Sequence, residues 1–441
     1  MEGHQTGNRK YRCHLHLMRE KEDRTMDAPS QLVSLFLDMD YVWNDQEKVW
    51  FIGQKFKYLF CANLETRELD IVQKIPEKFV KRVRDFIQVL KYKRKLICLP
   101  SLVRDILIYD IENQCVRTIR LKGFDTIDQL WCKSAGFLND KLYIVERSTG
   151  SIIILDLKME KIELSIDIEC LDIDDVVGEQ SILYRENIYI PVTTKQKVIS
   201  FNINTNEFNE YLIDGDICGC RSICCDGKNF WIIGEHYGIV KWDPITQKVY
   251  ELRDIPKDFK IFSIDWKHKV ANWYSYSEKR IINTENNYFC WECLCDGKYV
   301  WVIPALSDSI IRINTNTMQV NLIQFKSEYL QNHLEFKRDA HEFSVWGVDS
   351  SHNLRIVSRQ KYKIYAINTE KLSVRIEKWN LSGKIINLLI KELLGKEKWE
   401  QKLYNVEAFL YSELKDFLKE KKGSMPEEVG TTIYKSCNNI L

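Results

Sequence analysis

One pattern, repeated seven times, constrains this chain more than any other feature. Five copies show it plainly: VWFIGQKFKYLFCANLETREL from Val49, LYIVERSTGSIIILDLKMEKI from Leu142, IYIPVTTKQKVISFNINTNEF from Ile188, FWIIGEHYGIVKWDPITQKV from Phe230 and VWVIPALSDSIIRINTNTMQV from Val300. Each opens with a short apolar run that carries an aromatic and then passes through a polar turn. A second alternating run follows, ends at Asp or Asn, and leads into a tight turn and a third run. Trp50 precedes Asn63 by 13 positions, as Tyr143 does Asp156, Tyr189 does Asn202 and Trp301 does Asn314; Trp231 precedes Asp243 by 12. Two weaker copies, LICLPSLVRDILIYDIENQCV and LRIVSRQKYKIYAINTEKLSV, place Asp110 and Asn368 at 13 from Ile97 and Arg355. The Asp/Asn anchors fall at 63, 110, 156, 202, 243, 314 and 368.

Asp and Asn side chains accept hydrogen bonds from the backbone two residues on, which nucleates a hairpin turn. Alternating apolar residues on either side fit strands covered on both faces by neighbouring sheets. A fourth strand precedes each copy, as in SICCDGKNFWII and ECLCDGKYVWVI, where Asp-Gly-Lys makes the turn. Four antiparallel strands per unit of this period is the blade of a β-propeller, whereas helical repeats need 3.6-residue apolar spacing. The expected fold class is therefore all-β: a seven-bladed β-propeller of four-stranded antiparallel blades over residues 31–380, with a C-terminal α-helical tail. The long step from Asp243 to Asn314 implies an insertion at about 253–289.

With 441 residues, 45% hydrophobic, the chain can bury a large core. Its 64 Lys+Arg against 63 Asp+Glu argue against bulk attachment to nucleic acid or to an anionic membrane. No run of about 18 apolar residues marks a membrane span. Residues 1–30 are basic and polar without the apolar stretch of a secretory signal. They are expected to be a disordered extension, or residues upstream of a start at Met18 or Met26. Fourteen Cys without an export signal point to free thiols and a cytoplasmic setting.

These repeats resemble known groups. IYIPVTTKQKVISFNINTNEF resembles the YVTN-type bacterial propeller repeat. FWIIGEHYGIVKWDPITQKVYELRDIP resembles the repeat of the virginiamycin B lyase (streptogramin lyase) group of seven-bladed propellers. The likeness covers residues 40–380. It implies the fold, while such repeats serve enzymes, sensors and binding scaffolds alike.

Beyond Ser382 the apolar period becomes helical. Ile385, Leu388, Leu389, Leu393 and Leu394 form one run, and Trp399, Leu403, Val406, Phe409, Leu410, Leu414, Phe417 and Leu418 another. Two amphipathic helices are expected over 381–441, covering the propeller rim or docking a partner.

Cysteines cluster at 218, 220, 224 and 225 and again at 290, 293 and 295. Zinc sites favour paired C-x-x-C knuckles. Cys225 and Cys295 instead share one position before Asp-Gly-Lys on inner strands, where Cys packs as a small hydrophobe. No metal is expected there.

The Gly-Glu-His-Tyr-Gly turn at 234–238 is the most enzyme-like segment, because imidazole beside carboxylate suits acid–base work or metal binding. The streptogramin lyases, by the resemblance, use a His/Glu/His set with magnesium. The matching turns here, GQKFK, PSLVR, ERSTG, PVTTK, PALSD and SRQKY, carry no His, so the set is not carried over as a whole. Glu235 and His236 remain as catalytic candidates, with Mg as the alternative to no cofactor. In a propeller this turn shares a face with the link into the next blade. Tyr237, Arg221, Trp291 and Glu292 are therefore expected at one mouth with the insertion aromatics Trp266, Trp273 and Tyr274, a setting that suits a peptide, glycan or small polar ligand. The expected role is non-catalytic recognition of a protein, peptide or glycan. The alternative is a metal-dependent lyase-like enzyme using Glu235 and His236.

Overall fold

A computed structural model describes residues 39, 41–53, 58–76, 85–265, 270–279, 288–325, 343–358 and 363–385. The N-terminal extension and the helices expected beyond Ile385 lie outside them. Seven four-stranded antiparallel sheets follow one another along the chain, each with its strands in sequence order. Blade 1 runs from Trp43 to Lys74, blade 2 from Phe86 to Arg120, blade 3 from Cys132 to Asp167 and blade 4 from Ile182 to Leu212. Blade 5 runs from Ser222 to Glu251, blade 6 from Cys290 to Gln324 and blade 7 from Phe343 to Glu377. The all-β, seven-bladed propeller class read from the repeats is the class observed.

Each blade has the same burial gradient. Its second and third strands are almost wholly buried, as in Tyr299–Pro304 and Ser309–Asn314, while the fourth carries exposed residues, as in Lys161–Asp167, except in blade 6, where Val320–Gln324 has none. Central strands buried on both faces favour β-branched and aromatic side chains. Trp231, Trp242, Trp301 and Trp346 are accordingly among the largest fully buried groups.

The Asp/Asn anchors act as expected. Asn63, Asp110, Asp156, Asn202, Asp243, Asn314 and Asn368 each accept, through Oδ1, the backbone N–H groups two and three residues on, at 2.8–3.3 Å. A second device sits in the first hairpin. Asp45, Asp226 and Asp296 each accept from the indole Nε1 of the Trp five residues on, at 3.0–3.2 Å. Asp226 and Asp296 also accept backbone N–H groups across the Asp-Gly-Lys turns, where Gly227 and Gly297 adopt φ +93.

Two compact units divide the blades. One, within Ile168–Glu342, holds blades 4–6. The other draws on Lys21–Asp167 and Phe343–Leu441 and holds blades 1–3 and 7. Inside this second unit, blade 7 packs on blade 1. Asn44 Nδ2 donates to the Trp346 carbonyl at 2.7 Å, and Trp346 joins Phe51, Phe60 and Trp379 in one core. Asn380–Leu381 then adds a fifth, parallel strand to blade 1, pairing with Glu68 and Leu69. This strand extends the sheet past residue 380, where the sequence pattern had placed the start of the helical tail. The polar Asn380 and Ser382 amides find acceptors in the Arg67 and Leu69 carbonyls, at 2.9 and 2.8 Å.

The segment 253–289 is built around a two-stranded hairpin, Lys260–Asp265 with Val270–Ser275, followed by a 3-10 turn at Tyr276–Glu278. Among the described residues it pairs with no blade strand, so the long step from Asp243 to Asn314 is an insertion between blades 5 and 6.

Candidate functional site

In the unit holding blades 4–6, first strands adjoin. Gln180 bridges Ser222 in parallel, and its Oε1 accepts the Cys293 N–H at 3.2 Å, tying blade 4 to blade 6. Links between blades meet one another and the turn between the second and third strands of blade 5 at one end of these sheets. Thus Glu179 N–H donates to the Arg221 carbonyl at 2.6 Å, Glu235 N–H to the Cys218 carbonyl at 2.8 Å and Phe289 N–H to the Glu235 carbonyl at 2.7 Å.

At the centre of that end lies Arg221, only 2% exposed. Its Nη1 donates to both carboxylate oxygens of Glu235, at 3.0 and 2.9 Å, and its Nη2 donates to Glu179 Oε2 at 3.2 Å. The guanidinium lies 3.4 Å over the Tyr288 ring, and Tyr288 stacks in turn on Trp291. Burial alone would lower the pKa of this guanidinium. Glu235 and Glu179 outweigh it and hold the group above its ordinary value. The cluster thus has one cation against two carboxylates, of which Glu179 is buried and Glu235 keeps 18% of its side chain exposed. A buried charge is tolerated only when paired and hydrogen-bonded, so the geometry is that of a brace joining three inter-blade links and one turn.

The Gly-Glu-His-Tyr-Gly turn is held from beneath. Gly238 adopts φ +95, and a Cβ there would lie 2.4 Å from the Ile217 Cα. Its N–H donates to the Tyr276 hydroxyl at 2.7 Å. Tyr276 comes from the insertion and packs between Phe259 and Phe289, where burial pushes its phenol pKa up. The insertion therefore anchors the turn that presents Glu235, His236 and Tyr237.

The residues picked out by sequence fall into three groups. Arg221, Glu235 and Trp291 come together in the brace; Arg221 and Trp291, at 2% and 4% exposed, lie within it rather than on the surface. His236 and Glu292 are half-buried, and Tyr237, also half-buried, packs against the core of blades 5 and 6. Tyr274 is half-buried on the hairpin, Trp273 is on the same strand, and Trp266 lies outside the described residues. Sequence reasoning missed Glu179 and Tyr288. The signal for Glu179 was present: Arg221 is the lone cation of the link IDGDICGCR before a buried strand, and such a cation needs carboxylates.

The cysteines behave as apolar filling. Every described cysteine is a free thiol. Cys224, Cys290 and Cys293 share one core with Trp231 and Val302. Burial pushes the Cys290 and Cys293 thiols well up and that of Cys295 up to about 12. A thiol must lose its proton to ligate zinc, so these environments favour packing. Among the described residues, no group of three or more His, Cys, Asp or Glu side chains is arranged to hold a metal ion.

No family model matches the chain, and no curated protein matches it in sequence. Solved structures do. A streptogramin B lyase structure is 12% identical, with a TM-score of 0.51 over 78% of this chain and 96% of that one. BamB from Moraxella catarrhalis is 11% identical, with a TM-score of 0.44 over 73% of this chain and 83% of its own. The WD40 repeats of RRP9 are 11% identical, with a TM-score of 0.48 over 73% and 87%. The chain has the propeller fold of the streptogramin lyase group that its repeats resemble, and the likeness is one of fold alone.

Proposed function

We propose that the chain is a non-catalytic binding propeller, recognising a protein, peptide or glycan at the end of blades 4–6 where Glu235, His236 and Tyr237 stand. One observation supports this reading over lyase chemistry. Both oxygens of Glu235 accept from Arg221, which turns the carboxylate toward the brace. A general base must be aimed at the proton it takes. A preorganised surface, by contrast, gains from such a brace, because less ordering remains to be done on binding. The half-exposed Tyr237, two residues from Glu235, and Glu292, next to Trp291, supply aromatic and acidic contact groups there. The free thiols among the described residues suit a reducing, cytoplasmic setting for this role.

The fold likeness to a streptogramin B lyase favours the second reading, a metal-dependent lyase with Glu235 and His236 as the acid–base pair. Screening the purified protein on immobilised peptides and glycans, with and without EDTA and as His236→Ala, separates the two. The proposal expects capture that survives chelation and weakens only modestly in His236→Ala. Capture that requires magnesium, together with turnover abolished in His236→Ala, would replace it with the lyase reading.

A further inference from the structure

A second surface lies at the same end of blade 4, on the link whose Glu179 enters the Arg221 brace. The link Ile168–Ser181 reads IECLDIDDVVGEQS, with five acidic residues and no basic one. Its middle is stitched to the turn between the second and third strands of blade 4. Thr193 N–H and Oγ1 donate to the Val176 carbonyl at 2.8 and 3.1 Å, and Thr194 Oγ1 donates to Asp175 at 3.2 Å. The buried Lys197 donates to the Cys170 carbonyl at 2.9 Å and pairs with Asp175 at 3.1 Å. Lys197 in turn sits opposite Leu212 in the sheet register. The loop and the end of the outer strand are thereby fixed side by side.

This fixed platform presents apolar side chains to solvent. Ile173 is 100% exposed, Leu212 81% and Val176 39%. Large apolar groups gathered at one place on a surface mark an interaction site more than scattered single ones do. Around them stand the exposed carboxylates of Glu169, Asp172, Asp174, Glu210 and Asp214. Lys195, paired with Asp172 and Asp175, is the one exposed cation of the adjoining turn. In a chain whose charges almost balance, this end is locally acidic. The sign repels nucleic acid and anionic lipid, and attracts a cationic partner.

We infer that this end of blade 4 docks a short basic segment of a partner protein, with apolar side chains covering Ile173 and Leu212 and lysine or arginine meeting the surrounding carboxylates. Preorganisation by Lys197 and the two threonines lowers the ordering that docking requires. The inference does not depend on the ligand proposed for the Glu235 turn.

Fluorescence anisotropy of the full chain tests it with labelled synthetic peptides of alternating lysine and leucine, lysine and serine, or glutamate and leucine. The lysine–leucine peptide is expected to bind at least about tenfold tighter than either control, and to lose about tenfold in an Ile173→Ser/Leu212→Ser variant and again in Asp174→Asn/Asp214→Asn. These positions are exposed, and circular dichroism with thermal unfolding verifies that the variants fold. An absence of binding, unchanged affinity in the variants, or equal capture of the glutamate–leucine peptide or of duplex DNA would overturn the inference.

Discussion

At each of the seven anchors, from Asn63 to Asn368, the residue four positions on lies in the left-handed region. These are Arg67, Gln114, Glu160, Asn206, Gln247, Met318 and Leu372, with φ between 50 and 60. The anchors were legible because Asp and Asn share the chemistry that makes the turn. The left-handed positions were not, since Arg, Met and Leu share nothing that announces them. Apart from Asn206 none is Gly or Asn, so those six turns store backbone strain. Replacing the exposed Gln247 with Gly should raise stability by about 0.5–1 kcal/mol, while Gln247→Ala should not; a loss in the Gly variant on urea unfolding would refute the strain. Asp175 carries a second residue-scale prediction. Its carboxyl pKa is brought down to about 2 from 3.8: burial opposes the shift, but the Asp172 backbone, Lys195 and Lys197 prevail. A lowered folded pKa stabilises fully above the unfolded value and less as pH falls toward 2. Asp175→Asn should therefore cost about 2 kcal/mol at pH 7, shrinking as the pH drops below 4. A cost independent of pH would contradict the ion pairs.

Among elements, the repeated strands were read from local pattern, whereas the contacts that make the brace join segments far apart in sequence. Arg221 and Glu235 are 14 residues apart and Arg221 and Glu179 are 42, so no local period encodes their meeting. Arg221 drew notice as a residue at the expected mouth and Glu235 as a catalytic candidate, and the structure joins the two in one brace. The indole–Asp bonds of blades 1, 5 and 6 also escaped notice, although the five-residue step from Asp226 to Trp231 recurs from Asp296 to Trp301. Glu179 is the element-scale test. Its removal leaves Arg221 with one carboxylate in a buried setting, and breaking a buried pair costs about 3–5 kcal/mol. Glu179→Gln should approach the lower end of that range, since the amide oxygen still accepts; a change below about 1 kcal/mol would mean that the Nη2 contact contributes little.

For the molecule as a whole, chain order and blade count followed from the sequence, but the clasp did not. Asn380–Leu381 carries no anchor and no alternation, and it pairs with a strand some three hundred positions earlier; Ser382 Oγ bonds Asp70 across 312 residues. Ser382→Pro removes the amide that donates to Leu69 and should lower stability by about 1–3 kcal/mol, with faster hydrogen exchange in the outer strand of blade 1. Unchanged exchange there would show the clasp to be dispensable. The functional account rests on a different point, that Glu235 serves Arg221 rather than a substrate. A double-mutant cycle in urea unfolding, with Arg221→Met, Glu235→Gln and the pair, measures this most directly. The account predicts that the double variant loses less than the two single losses combined, by at least about 1 kcal/mol, because each single change strands a buried group that the other removes. Strictly additive losses would show that the two side chains act independently and would contradict the brace.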